Sequence, residues 1–186
     1  MPYNKVSLIP NGWGRIMVMC NDSVEIGPIT ENNLEEAFEV YRQSEDFLAL
    51  GPEPKASIAM VLQDIETSRH EKGVFCGVYA SGDRMIGIVD FVPAGFEGMA
   101  HLSFISLLMI VAPWRNRGIG TRIIKLVESK IRITGQVREI QTAVQLNNPA
   151  ALRFWQRNGY CVFGDPKLRP DKTVVLYLRK ELLASD

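Results

Sequence analysis

Along this chain the spacing of apolar residues switches repeatedly between a period near 3.6 and a period of 2, and each switch marks an element boundary. Residues 24–29 read as a strand. Thr30 stands where a helix over 31–43 needs its cap; Glu31 lies in the first turn, and Leu34, Ala37, Phe38 and Tyr41 fall on one face. Residues 48–54 carry the glycine and prolines of a loop, and Ser57 caps a second helix reaching about Arg69, with Val61, Leu62 and Ile65 inward. Two runs at 74–80 and 85–92, joined through Ser81, Gly82 and Asp83, predict a hairpin. After a loop at 93–98 comes a long strand over 100–111. A third helix follows over 118–133, burying Ile119, Ile123, Leu126, Val127 and Ile131 and stopped by Gly135. Residues 139–145 predict a strand. Asn148 then caps a short helix that Pro149 opens and Asn158 and Gly159 end. Strands at 160–163 and 173–178 complete the order. Upstream, 6–9 and 16–20 flank a five-residue loop at 10–14, the pattern of an added hairpin. The sum, βααβββαβαββ, implies an α+β fold with a mixed central sheet, preceded by an extension over 1–22 and forming one domain over 23–186.

Composition narrows the class without naming a reaction. A chain of 186 residues suits one domain with its own core, and a hydrophobic content of 46% is that of a soluble globular protein. Lys+Arg and Asp+Glu are 21 each, so no net field draws the chain toward nucleic acid or an anionic membrane. No apolar run approaches the ~20 residues of a membrane-spanning helix, and the stretch 5–10 is too short and too broken for a signal peptide. Cys20, Cys76 and Cys161 have no close spacing and read as reduced core thiols of a cytoplasmic protein. Two histidines without a cysteine or aspartate cluster give no expectation of a metal.

The chemistry concentrates in Arg115-Asn116-Arg117-Gly118-Ile119-Gly120, a basic glycine loop between the long strand and the third helix. Amides at a helix start are unpaired and point outward, and the helix dipole adds positive potential, so this order of elements makes an anion site. A Walker loop needs Lys and then Ser or Thr after its second glycine, but Thr121 and Arg122 follow Gly120. A dinucleotide fingerprint needs a third glycine where Ile123 stands. What remains, Arg/Gln-x-x-Gly-x-Gly/Ala, resembles the pyrophosphate loop of the GNAT acyltransferase superfamily. A second block, from Asn148 through Ala151, Phe154 and Trp155 to Gly159 and Tyr160, is similar to that superfamily's other signature. Together the resemblance spans roughly residues 24–179.

That resemblance implies the GNAT acyl-CoA N-acyltransferase fold, a mixed central sheet flanked by helices with its fourth and fifth strands splayed. It implies acetyl-CoA as cosubstrate, with the pantetheine arm along Leu108, Met109 and Ile110 and a backbone amide there facing the thioester oxygen. Asn116, Gly118, Ile119, Gly120 and Thr121 then offer amides to the pyrophosphate, Arg115 and Arg117 offer charge, and Asn148 and Trp155 complete the cofactor side. Arg153 and Arg157, four apart on one helix face, suit the nucleotide end. The acceptor side falls at 47–55 and in the loop between Tyr160 and Thr173, where Asp46 and Glu53 suit a cationic amine.

The family's usual acid and base positions carry no acid or imidazole: Phe104, Ser106 and Ala143 occupy the base positions, and Trp155 stands where a tyrosine acid is usual. Indole cannot protonate a thiolate. Ser106, Asp90, Glu97 and Trp155 are therefore the catalytic candidates, with His101 a further base on the opposite face of a regular strand. The function implied is acetyl transfer to a primary amine by direct attack in a ternary complex. The alternative is a catalytically degenerate acyl-CoA-binding module or sensor; a nucleotide-dependent enzyme is a weaker third. The acceptor is a small molecule or a protein amine, with no nucleic acid or membrane partner, and the chain a monomer or homodimer.

Overall fold

The computed structural model describes residues 16–18, 24–80 and 84–182. Their strands form one sheet in the order β1-β2-β3-β4-β5-β6-β8-β7. The strands are β1 (Ile16–Val18), β2 (Val24–Pro28), β3 (Val74–Ala80), β4 (Arg84–Val92), β5 (Leu102–Ile110), β6 (Glu139–Gln145), β7 (Cys161–Leu168) and β8 (Val174–Glu181). Every pair is antiparallel except β5 with β6. Because β1 adds a strand before the rest, the expected splayed fourth and fifth strands are β5 and β6. The first arm of the expected N-terminal hairpin, its loop, Cys20 and the turn at Ser81, Gly82 and Asp83 lie outside the described residues; the second arm pairs with β2 through Ile16↔Ile26.

Helices flank the sheet: α1 (Leu34–Arg42), α2 (Glu45–Leu48), α3 (Ile58–His70), α4 (Ile119–Ile133) and α5 (Pro149–Arg157). α1 and α3 pack on each other and on β3 and β4, while α4 packs on β2 and β5. β4 is buried at every position from Met85 to Val92, as a strand covered on both faces must be. The start of α1 is tighter than its periodicity implies: Glu31–Asn33 is a 3₁₀ turn, because the Asn33 carboxamide turns back to accept from the Thr30 amide at 2.6 Å. α2 occupies a stretch that reads as the entry to a loop. Leu62 is 45% exposed rather than inward; the buried face of α3 is Val61, Ile65 and Ser68, spaced i, i+4, i+7. Ser57 caps α3 by accepting from the Met60 amide, and Asn148 caps α5 by accepting from Ala151. Cys76 is a core thiol as expected, but Cys161 is exposed on the edge strand. Among the described residues, no helix is long and apolar enough to cross a membrane.

Candidate active site

The functional geometry begins with an unfinished ladder. β5 and β6 pair in parallel only from Leu102↔Glu139 to Ile105↔Thr142. β5 continues to Ile110 and β6 to Gln145, so beyond Ile105 the two strands part and leave backbone edges facing a gap. On its other side β5 stays paired with β4 as far as Gly87↔Ile110. Glycine is required there: a Cβ on Gly87 would sit 2.4 Å from the Met109 carbonyl oxygen. A cavity of about 870 Å³ fills the gap, with Ser106, Leu107 and Leu108 on one wall and Ala143, Val144 and Gln145 on the other. Its floor includes Asn148, Ala151, Phe154 and Trp155 from α5.

At the point of parting, β5 carries one residue more than β4. Asp90 stands opposite Leu107 and Phe91 opposite Ile105, so Ser106 is a bulge with no partner. Ser106 is exposed to the cavity beside Asp90, where its hydroxyl favours the charged carboxylate. Asp90 lines the same cavity but is only 7% exposed, and it also accepts from the Ser68 hydroxyl at 2.6 Å. Burial pushes the Asp90 carboxyl up to about 6; the two serine hydrogen bonds oppose the shift, and the charges of Glu71 and Asp64 add to it. A carboxylate poised there is ionised at neutral pH yet basic enough to take a proton. Burial likewise raises Asp64, whose carboxylate accepts from the Tyr41 hydroxyl at 2.5 Å.

The other candidates divide. Glu97 lines the rim from a loop in which Gly95, Glu97 and Gly98 all have positive φ, steadied by Phe96 stacked on Phe104 at 4.3 Å. His101 does not line the cavity; the bulge falls after it, at Ser106, and its carbonyl serves the amides of Arg138 and Glu139. Trp155 is 6% exposed and packs edge-on against Tyr160 at 4.9 Å and Phe154 at 5.4 Å, so it meets the cavity as a packing residue. Cys76 offers no nucleophile, since burial pushes its thiol up to about 12 with the Asp90 charge adding to the shift.

The anion loop lies past the cavity, at the far end of β5. After a 3₁₀ turn at Ala112–Trp114 the chain takes two left-handed residues, Asn116 (φ 59°) and Gly118 (φ 75°), and enters α4. The first bond of the helix runs from the Arg122 amide to the Gly118 carbonyl. The amides of Ile119, Gly120 and Thr121 precede it, α4 has no side-chain cap, and its first turn holds no acidic residue. The two glycines serve different ends. Gly118 supplies a left-handed turn in open space, whereas a Cβ on Gly120 would meet the Phe154 ring at 2.9 Å. The second glycine thus seats α4 against α5; phosphate approach is not what excludes a side chain there.

Two of the expected cofactor-side groups have partners within the protein. Arg115 spends its guanidinium inside the protein: Nε donates to the Ile110 carbonyl at 2.6 Å and both terminal nitrogens donate to Asp46, Nη2 at 2.9 Å. Asp46 is accordingly paired, its carboxyl held below the usual range by that hydrogen bond. Of Leu108, Met109 and Ile110, Leu108 lines the cavity, Met109 is buried in the core and the Ile110 carbonyl accepts from Arg115. Arg117 lies over the Trp114 ring at 5.4 Å. Asn148 has its carboxamide oxygen in the α5 cap.

The acceptor end is lined by Phe47, by Asp64, Thr67 and His70 of α3 with Glu71 beyond it, and by Arg169, Asp171 and Thr173 of the β7–β8 loop. Glu53 and Lys55 do not line it. Sequence reasoning missed Asp64, Ser68 and Tyr177. Ser68 was detectable, since it occupies an inward slot of α3 in register with Val61 and Ile65; Tyr177 reaches the cavity only because β8 pairs beside β6.

A mixed sheet split at its parallel pair, with an uncapped helix N-terminus at the end of the split, defines the class of acyltransferase folds. Within that class the chain belongs to the Acetyltransferase (GNAT) family, whose sequence profile matches residues 34–160. Over 92 residues it is 29% identical to N-alpha-acetyltransferase 30 of Schizosaccharomyces pombe (strain 972 / ATCC 24843), a match covering 50% of this chain and 61% of that protein. The chain thus spans about three fifths of the length of this curated relative. Among solved structures, an acetyltransferase from Thermus thermophilus superposes with a TM-score of 0.72 at 21% identity, covering 86% of this chain and 97% of that one. The microcin C7 self immunity acetyltransferase MccE, solved in complex with acetyl-CoA and AMP, superposes with a TM-score of 0.69 at 16% identity, covering 86% and 92%. At such identities these likenesses speak to the fold.

Proposed function

We propose that this chain is an N-acetyltransferase that moves the acetyl group of acetyl-CoA to a primary amine by direct attack in a ternary complex. The observation that carries the reading is the Asp90–Ser106 pair at the apex of the split. It supplies a base at the point where the family's usual position holds only a serine. The residues present fit the cosubstrate: the uncapped amides of Ile119, Gly120 and Thr121 suit a pyrophosphate, and the unpaired edge of β5 at Leu108 suits an amide-bearing arm.

An amine of pKa ~10.4 arrives protonated and must lose a proton before it attacks. The carboxylates of Asp64, Glu71 and Asp90 around the acceptor end favour entry of the cation. Ser106 accepts the amine proton as it passes its own to Asp90, leaving a neutral amine and a neutral carboxylic acid. The amine nitrogen bonds to the thioester carbon, the oxyanion faces the backbone amide at Leu108, and the C–S bond breaks to release the thiolate. A thiol pKa near 8.5 makes that departure tolerable without a dedicated acid, consistent with an indole at Trp155. The nitrogen sheds its second proton to the departing thiolate through water, which leaves a neutral amide and a thiol, and the proton held by Asp90 returns to solvent.

Thiol release from acetyl-CoA in the presence of a broad panel of amines tests the proposal. Activity should rise with pH along a limb centred near 6, where Asp90 ionises. Asp90→Asn should abolish that limb and lower kcat/KM by ~10²–10⁴-fold. Calorimetric binding of acetyl-CoA with no thiol released for any amine would instead establish a binding module.

A further inference from the structure

Asp90 is held from two sides, and the two serines that hold it are not equivalent. Ser106 is open to the cavity, whereas Ser68 is 2% exposed and closed off from solvent. Ser68 comes from the last turn of α3, where its hydroxyl donates to Asp90 Oδ1 at 2.6 Å. A tight turn closes over this contact. Lys72 adopts φ 59°, the Gly73 amide donates to the Ser68 carbonyl at 2.7 Å, and β3 begins at Val74. A Cβ on Gly73 would lie 2.6 Å from Ser68 Oγ and 3.3 Å from Asp90 Oδ1. Three backbone segments therefore converge on one hydrogen bond, and the turn is built from the residue that leaves room for it.

We infer that Ser68 is a positioning residue of the transfer reaction: it fixes Asp90 from the buried side, so that the carboxylate presents its free lone pairs to Ser106 and the cavity and stays ionised when an amine enters. The inference rests on the proposed role of Asp90 as base. The charged and titratable groups facing Asp90 are few. Asp64 on α3 and Glu71 just beyond it both disfavour its charge, while Tyr41 on α1 and Cys76 on β3 are held neutral beside it by burial. His70 and Lys72 line the same cavity, and the largest contributions that favour the Asp90 anion come from the two serine hydroxyls.

The test compares pH–rate profiles for acetyl-CoA and one accepted amine in the wild type, Ser68→Ala, Ser68→Thr and Asp90→Asn. Loss of one charge-assisted donor should move the ascending limb of Ser68→Ala upward by about one pH unit. Its kcat/KM should fall ~10-fold on the limb and stay near wild type on the plateau. Ser68→Thr, which keeps the hydroxyl, should return the limb to its place. If Ser68→Ala does not fold, Ser68→Cys, a weak donor, should give an intermediate displacement. Infrared titration of the carboxyl band that Asp90→Asn removes should report the same displacement without turnover. A profile of Ser68→Ala lowered evenly at all pH values, with its limb and its infrared midpoint unmoved, overturns the inference and leaves Asp90 as the base. A limb that survives in Asp90→Asn removes the base itself, and the inference with it.

Discussion

Arg115 and Asp46, 69 residues apart in sequence, clasp each other and tie the basic glycine loop to α2. The same guanidinium holds the Ile110 carbonyl, so one side chain links the end of β5, the loop and the acceptor-side helix. These contacts fix the loop and pair the guanidinium with a carboxylate. Arg115→Ala and Asp46→Asn should each raise the Kd for acetyl-CoA by ~3–10-fold in calorimetry, with stability changes under about 1 kcal/mol, because the pair is partly exposed. Arg115→Lys should not restore binding, since a point charge cannot serve both a carboxylate and a carbonyl in this geometry. A loss beyond a hundredfold in Arg115→Ala alone, with Asp46→Asn unaffected, would mean that the guanidinium grips phosphate directly.

The two glycines of the loop should separate cleanly. Gly118→Ala meets no neighbour but must hold φ 75°, a strain of about 1 kcal/mol. Gly120→Ala is sterically opposed by the Phe154 ring 2.9 Å away and should cost about 1–3 kcal/mol in urea unfolding. Adding Phe154→Leu to Gly120→Ala should recover much of that stability while leaving the Gly118→Ala deficit untouched. Equal penalties for the two glycines, or no rescue, would contradict the packing role given to Gly120.

The difference between what was and was not legible in the sequence follows from range. The Ser57 and Asn148 caps and the position of α4 are local properties, and they stand in the fold as read. The β5–β6 split follows from family resemblance to two short motifs, and the partial ladder bears it out. What local pattern could not supply is contact between distant segments. Arg115 reads as a phosphate ligand because a basic residue beside such a loop usually meets anions, yet a carboxylate from α2 reaches it first. Gly120 leaves its amide open to an anion, but what excludes a side chain there is Phe154, which no local pattern shows. Asp90 was singled out as a spare acid near the end of a strand; its burial and its two serine partners come from α3 and from a one-residue bulge in β5, which no periodicity announces.

Burial of Asp90 makes a stability prediction with a definite sign. Its folded-state value is raised from 3.8 to about 6, so the folded state binds the proton more tightly than the unfolded chain. The stabilisation from the protonated group is fully present below pH 3.8 and is lost as pH rises through 6. Asp64 is shifted the same way and steepens the trend. Asp90→Asn should therefore be the more stable protein at pH 8, by about 2–3 kcal/mol, with the advantage fading to nothing near pH 4. Urea unfolding of both proteins across that range measures it. A variant less stable by the same amount at every pH would show that the carboxylate is not held at a cost.

Glu128 and Lys180 tie α4 to β8. Glu128, in the middle of α4 and 7% exposed, takes both its oxygens to Lys180 Nζ of β8 at 2.8 Å and accepts the Tyr160 hydroxyl at 3.1 Å. Lys180 also donates to the Asn158 carbonyl at the end of α5, so α4, α5 and β8 meet at one ammonium. Burial and the adjacent carboxylate both push the Tyr160 hydroxyl up, which keeps it a donor at any working pH. β8 pairs with β6, and Lys180 stands opposite Ile140, where β5 and β6 are still laddered, so the ion pair braces α4 and α5 against the closed end of the split. Breaking one side of a buried pair strands the other charge. Lys180→Met leaves the carboxylate with only a tyrosine and should cost about 3–5 kcal/mol; Glu128→Gln leaves a less buried ammonium with the Asn158 carbonyl and should cost less. The double variant Glu128→Met/Lys180→Met should recover most of the loss, because neither charge then needs a partner. A coupling below ~0.5 kcal/mol in that cycle would mean the two sites act independently, and that solvent at the part-exposed Lys180 has already screened the pair.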